Sequence, residues 1–299
     1  GAAAPRPQPP PPAASFPEDV ARPPYCEPGF WAGEVARRCP GNAALEELVA
    51  SPWFAGVLRA PGGGRLWQRT NRRKMIKELS ESACALRAVQ RARDARGGQS
   101  PERRKSGAGG VVLDVGCGRG LTALLLAYAL PGLQIVCIDI DPKLDLSHLR
   151  GPLASGQVQY YSVSAFAPEF EALVRERCSD ASVEWSCAVG THLCGSLSPR
   201  LVEVFRAQAA VDTLVLSPCC LKGWMGRDVT RRAKAEKREP YSVLCETMLE
   251  LVKGCFAGTT PPPEPQLRAT LSYQKEVASV KNGYIEASRP PRRRPLPAA

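Results

Sequence analysis

The run Val111-Val112-Leu113-Asp114-Val115-Gly116-Cys117-Gly118-Arg119-Gly120 constrains this chain more than any other segment. Its apolar start reads as a buried strand and its glycines as a tight turn. The wholly apolar Leu121–Leu130 that follows reads as a core helix. Ile135-Val136-Cys137-Ile138-Asp139-Ile140-Asp141-Pro142 then reads as a second strand ending in acids. Strand, glycine turn, helix and acid-ended strand, in that order, make the first half of a nucleotide-type binding fold.

The spacing narrows the ligand. Glycines at 116, 118 and 120 give G-x-G-x-G, whereas the dinucleotide fingerprint sets its third glycine one residue later. Asp114 sits at the end of the strand, where its carboxylate would repel a pyrophosphate. S-adenosylmethionine carries no phosphate and presents a sulfonium and an amino group, so an acid there is useful. Glycine lets a backbone approach a ligand closely. Asp139 follows Gly120 by 19 residues, where a carboxylate can accept from ribose hydroxyls. The structural alternative for Asp114 is a cap on loop amides. These segments resemble the class I methyltransferase superfamily. The resemblance implies a Rossmann-like α/β fold, with a seven-stranded, mostly parallel sheet ending in an antiparallel hairpin. It places S-adenosylmethionine against Asp114, Gly116, Cys117, Gly118, Gly120, Asp139 and Ile140, with Ser164 and Ala165 bordering the adenine.

From Gly110 onward the pattern alternates strand and helix, as in a parallel sheet with crossover helices. Strands are expected over 111–116, 134–139, 157–163, 185–190 and 213–217, and helices over 143–150, 168–178, 198–209 and 241–254. Two further strand-like runs, 267–277 and 280–287, are separated by a turn signal at Lys281-Asn282-Gly283-Tyr284. The expected organisation is a disordered Pro/Ala-rich segment over 1–28, a helical extension and linker over 29–106, a catalytic domain over 107–288 and a basic Pro-rich tail over 289–299. Within the extension, 42–57 is weakly helical, and Asn71 can cap a helix running to about Arg96. Its apolar stripe is Ile76, Leu79, Ala83, Leu86 and Val89, with a basic opposite face that can guide a substrate backbone.

Ligands of open parallel sheets bind beyond the carboxyl ends of the strands. Strand four leads into Thr191-His192-Leu193-Cys194-Gly195-Ser196-Leu197-Ser198, and strand five into Pro218-Cys219-Cys220. Over roughly 110–225 these segments resemble the eukaryotic tRNA ribose 2′-O-methyltransferase family and its plant and algal relatives. Those enzymes usually carry a lysine before the histidine, where this chain has Thr191. The resemblance implies methylation of RNA, tRNA included, with an acceptor presented over Thr191, Cys194, Pro218, Cys219 and Cys220. His192 is the candidate general base, since an imidazole titrates near neutrality. Packing beside the cofactor is its other reading. The linear spacing of these cysteines gives no standard metal-ligand set, so no metal is expected.

Composition sets the outer bounds. The 299 residues carry a formal net charge of +11, which attracts polyanions. Basic clusters occur at Arg65–Lys77, Arg87–Arg96, Arg103–Lys105 and Arg227–Arg238. No run approaches the ~18 apolar residues of a membrane span. The twelve scattered cysteines contain no paired C-x-x-C units. They read as free thiols of a reducing intracellular compartment, cytoplasm or nucleus, with an organelle left open by the Ala-rich start. Two rival functions remain at this stage: methylation of a protein or small molecule, and a non-catalytic methyltransferase-like scaffold that binds RNA or protein.

Overall fold

The computed structural model describes residues 2–9, 23–60, 66–67, 71–96, 109–220, 222–254 and 267–290. Seven strands form one sheet: β1 (Gly110–Val115), β2 (Leu133–Asp139), β3 (Val158–Ser162), β4 (Trp185–Leu193), β5 (Thr213–Pro218), β6 (Arg268–Tyr273) and β7 (Gly283–Ser288). Their spatial order is β3-β2-β1-β4-β5-β7-β6. β1 to β5 pair in parallel, and β7 runs antiparallel to both β5 and β6. This is the seven-stranded Rossmann-like α/β sheet, with its closing hairpin, of a class I methyltransferase fold. The sheet order reverses between β1 and β4, so the crevice beyond their carboxyl ends is where a ligand binds.

Side-chain alternation on β1 sorts the core. Val111, Leu113 and Val115 join one buried cluster, and Val112 joins the other. The first cluster includes α7 (Pro168–Ser179), α8 (Leu197–Ala207), α9 (Gly223–Glu236) and α10 (Pro240–Lys253). The opposite face is covered by α5 (Leu121–Ala129), whose residues 121–127 are all buried, together with the N-terminal helices. Those are α1 (Pro28–Arg38), α2 (Ala43–Ala50), α3 (Phe54–Arg59) and α4 (Arg72–Ala95). Trp31, Leu45, Phe54, Trp67 and Leu79 belong to the same buried cluster as Val112 and Leu124, so the N-terminal helices complete the sheet's core.

Asn42 caps α2 by accepting from Leu45 N–H, and Asn71 caps α4 by accepting from Arg73 N–H. The expected apolar stripe of α4 is buried, but so are Ser80, Glu81, Ser82, Cys84 and Ala85 between its members. The basic face expected opposite that stripe is therefore interrupted. α4 packs on α2, α5, β4 and β5 and has no fully solvated side along its middle turns. Its cations are mostly engaged: Lys77 with Glu81, Arg87 with Glu47, Arg91 with Glu286 and Arg96 with Asp212.

Other differences are local. The helix expected over 143–150 is a 3₁₀ turn at Ser147–Leu149 followed by α6 (Arg150–Ala154). Asp141 and Asp145 accept from the amides of Lys143 and Ser147, holding turns ahead of it. Gly283 opens β7 instead of serving the turn. A Cβ there would lie 2.5 Å from Cys245 Sγ, so the glycine permits close packing of strand on helix. Among the described residues regular structure starts at Pro24, and Gln8 N–H donates to Tyr160 O on β3. Arg289, placed in the tail by sequence, is buried over the Phe205 ring and donates to Phe205 O and Val211 O. Residues 97–106 of the expected extension and linker, the Pro-rich residues 261–265, Arg65, Arg69, Arg103–Lys105 and the tail from 291 lie outside the described residues.

Candidate active site

The glycine loop leaves β1 with all three glycines in the left-handed region, at φ 64° for Gly116, 51° for Gly118 and 69° for Gly120. The need for glycine is clearest at two of them. A Cβ on Gly116 would meet Leu193 Cδ2 at 2.7 Å. A Cβ on Gly118 would meet no protein atom within 4 Å, so it would project into the space a ligand must enter. β2 ties the loop down: Ile138 O accepts from Gly116 and Cys117 N–H, and Asp139 Oδ2 accepts from Gly118 N–H at 2.9 Å. Asp139 Oδ1 accepts from Asp141 N–H, which fixes the carboxylate at the strand tip.

Asp114 is 2% exposed, and its Oδ2 has no hydrogen-bond partner. Burial pushes its carboxyl up to about 7, against the Ala123 backbone N–H that favours the anion, and nearby Asp139 adds to the rise. A buried carboxylate oxygen with no partner, beside a loop whose middle glycine faces open space, fits a ligand that brings its own cation. The ammonium and sulfonium of S-adenosylmethionine supply that charge, and the residues present fit this cofactor. Ile140, next to Asp139, is 69% exposed, and Phe166 is 56% exposed. Large apolar side chains left in water at neighbouring strand ends suit the faces of an adenine. Ser164 Oγ accepts from Phe166 N–H, while Ala165 is buried in the core and its carbonyl takes Arg200 Nε–H. Of the residues expected at the adenine, Ala165 thus lies behind the surface and Ser164 on it. Phe166 stood in the same sequence segment but was not singled out.

Next to the loop lies a cleft of about 210 Å³, lined by Gly116, Cys117, Gly118, Thr191, His192 and, from α4, Glu78, Glu81 and Ser82. His192 was expected just past strand four. β4 instead runs on to Leu193, with a register shift between Thr191 and Leu193 that leaves His192 at φ 57°. This is a bulge, a device that re-aims one side chain out of the ladder. His192 Nε2 lies 2.8 Å from Glu81 Oε1. Burial raises the Glu81 carboxyl, but His192 and Lys77 outweigh it and hold the group below its ordinary value, so Glu81 is anionic. Glu81 was invisible to sequence reasoning. It falls off the apolar stripe of α4, where an acid reads as solvent-facing, and only the packing of α4 over β4 and β5 reveals it.

Leu193 and Pro218 are register partners on adjacent strands, so the residues after them emerge side by side. Cys194 Sγ lies 2.7 Å from Cys219 Sγ, and Cys219 Sγ–H donates to His192 O at 3.2 Å. Tyr241 Oη–H donates to Pro218 O, and Lys281 Nζ donates to Cys219 O. The expected acceptor-side residues Thr191, Cys194, Pro218, Cys219 and Cys220 thus stand together along the same edge as His192. No disulfide joins any two of the eleven described cysteines. Among the described residues no helix is long and apolar enough to cross a membrane.

Residues 86–224 match the family model described as a methyltransferase domain, just under half of the chain. No curated protein matches the chain. Solved structures resemble it at low identity. The 23S rRNA methyltransferase ErmE is 14% identical with a TM-score of 0.35, over 63% of this chain and 65% of ErmE, so this chain spans just under two thirds of ErmE's length. Fibrillarin from Methanococcus jannaschii, a pre-rRNA processing protein, is 10% identical with a TM-score of 0.36, over 64% of this chain and 69% of its own. The CurJ carbon methyltransferase is 12% identical with a TM-score of 0.43, over 88% of this chain and 71% of its own.

Proposed function

We propose that this chain transfers a methyl group from S-adenosylmethionine to a hydroxyl of RNA, a ribose 2′-OH being the acceptor the site suits best. The observation that carries the reading is the His192–Glu81 pair standing over the cleft beside the glycine loop. The bound donor supplies an electrophilic methyl group that needs no further activation. What an alkyl hydroxyl lacks is nucleophilicity, and a base that removes its proton during attack supplies it.

The pair is suited to that task. An anionic Glu81 beside His192 Nε2 favours a proton on that nitrogen and leaves the lone pair on Nδ1. The acceptor's O–H proton passes to Nδ1 as its oxygen takes the methyl. The imidazolium so formed is stabilised by the carboxylate 2.8 Å away. Thr191 Oγ1, buried and without a partner on the cleft wall, can orient the acceptor. Holding both reactants in line supplies much of the remaining rate.

The net charge of +11 supports a polyanionic acceptor. Arg72, Arg73 and Lys74 at the start of α4 stand three turns or fewer from Glu81 on the same helix, and they are the cations placed to guide an RNA backbone towards the cleft.

The test is transfer of labelled methyl groups into total RNA by purified protein, with nucleoside analysis of the product. His192→Ala is expected to lower kcat by roughly 10²–10⁴-fold with little change in cofactor affinity. Glu81→Gln is expected to lower it less and to shift the pH optimum. Label entering protein or small molecules but not RNA would overturn the acceptor. Tight cofactor binding with no transfer to any fraction would leave a binding scaffold.

A further inference from the structure

Cys194, Cys219 and Cys220 place their three sulfurs within 4.8 Å of one another at the tips of β4 and β5. We infer that these three thiols form a zinc site with an open fourth position, which clasps the two acceptor-side loops together. The inference does not depend on the methyl-transfer reading, because every readout below is taken on the metal or on the thiols.

The linear order His-x-Cys and Cys-Cys gave no standard ligand spacing. The fold supplies what the spacing lacks, since the Leu193 and Pro218 register pair sets Cys194 beside Cys219. His192 is not a member, because its Nε2 faces Glu81, but its carbonyl borders the thiols and accepts from Cys219. The Cys220 sulfur accepts the Gly195 backbone N–H at 3.1 Å. Main-chain N–H groups aimed at sulfur stabilise thiolate, the form that binds metal.

Three thiolates and one dication leave a single net negative charge. Lys281 lies against it, donating to the Cys219 carbonyl. Zn–S bonds of about 2.3 Å in tetrahedral geometry set sulfurs about 3.8 Å apart. The Cys194–Cys219 pair would open by roughly 1 Å to take the ion, and Cys194, on an exposed loop, can give that much. Binding replaces three S–H bonds by three Zn–S bonds and releases up to three protons. The fourth position is left to water.

The experiment titrates reduced, metal-free protein with Co²⁺ and then displaces it with Zn²⁺. One cobalt per chain is expected, with a thiolate-to-cobalt charge-transfer band and the visible bands of a tetrahedral site, all lost on adding zinc. Cys220→Ser and Cys194→Ser should each weaken that band and lower zinc affinity at least tenfold. Should the variants misfold, alkylation of the wild-type protein decides. Zinc should protect Cys194, Cys219 and Cys220 and leave the partly exposed Cys39 reactive. Cobalt bound without the thiolate band, alkylation unchanged by zinc, or a Cys194–Cys219 disulfide forming in the presence of zinc would each overturn the site.

Discussion

Asp114 couples ligand binding to protons. With its carboxyl raised to about 7, it is largely neutral in the free protein below that pH. A cation brought against Oδ2 favours the anion, so binding releases a proton there. Cofactor affinity should rise with pH by up to about tenfold per unit below 7 and level off above it. Calorimetry in two buffers of different ionisation enthalpy counts the proton, and Asp114→Asn should abolish both the release and the pH dependence. In the free protein the sign reverses. A carboxyl whose folded value exceeds its unfolded value of about 3.9 costs the fold stability as pH rises through that interval towards 7. A buried His148, pushed down to about 4 by desolvation, acts oppositely, because the unfolded chain takes up a proton first as pH falls below about 6.5. An Asp114→Asn chain, retaining only the second effect, should therefore lose stability more steeply on acidification than the parent, as denaturant titrations at several pH values would read.

At the scale of elements, α4 is fastened at both ends. Asn71 caps its start, and Arg96 at its C-cap reaches Asp212 at 3.0 Å. Asp212, 2% exposed, also accepts the Ser186 amide, tying the helix to the entries of β4 and β5. Arg96→Met leaves that carboxylate buried against less charge and should cost about 3 kcal/mol in a denaturant titration. A loss below about 0.5 kcal/mol would mean that solvent screens the pair. The elements themselves were readable from residue type. β1, β2, β3 and β5 begin and end within a residue or so of the apolar runs, because a strand covered on both faces must be apolar throughout. β4 was read three residues short. Its continuation passes through a left-handed histidine, and nothing in the residues Gly190 to Leu193 signals a bulge. The glycine loop and the Asp139 strand tip were legible because glycine and acid spacing is local. The Glu81–His192 pair and the thiol cluster were not, because Glu81 reaches His192 across 111 residues of chain and the three thiols meet only through strand register.

For the whole molecule, the excess of positive charge is the feature that reaches furthest from the surface. Many of the individual cations are nonetheless paired within the fold, which leaves the net charge unchanged. Arg232 and Arg238, in a cluster that reads as a polyanion site, are bound to Glu236, Glu246 and Glu250. RNA affinity should accordingly depend on few cations. Arg72→Ala with Arg73→Ala should weaken RNA binding and reduce its logarithmic salt slope by about 1 to 2, while Arg238→Ala should leave the slope unchanged. Fluorescence anisotropy across a salt series distinguishes these outcomes. A slope insensitive to all three substitutions would place the nucleic-acid surface elsewhere.

The wall that α4 lends to the cleft has a consequence for how such a chain diverges. The stretch that matches the family model begins at residue 86, after the helix has already contributed Glu78, Glu81 and Ser82. Exchange of that helix would reshape the cleft and leave the glycine loop intact. Conversely, a fragment trimmed to the matched boundary would keep its glycines and lose the carboxylate that steers its histidine.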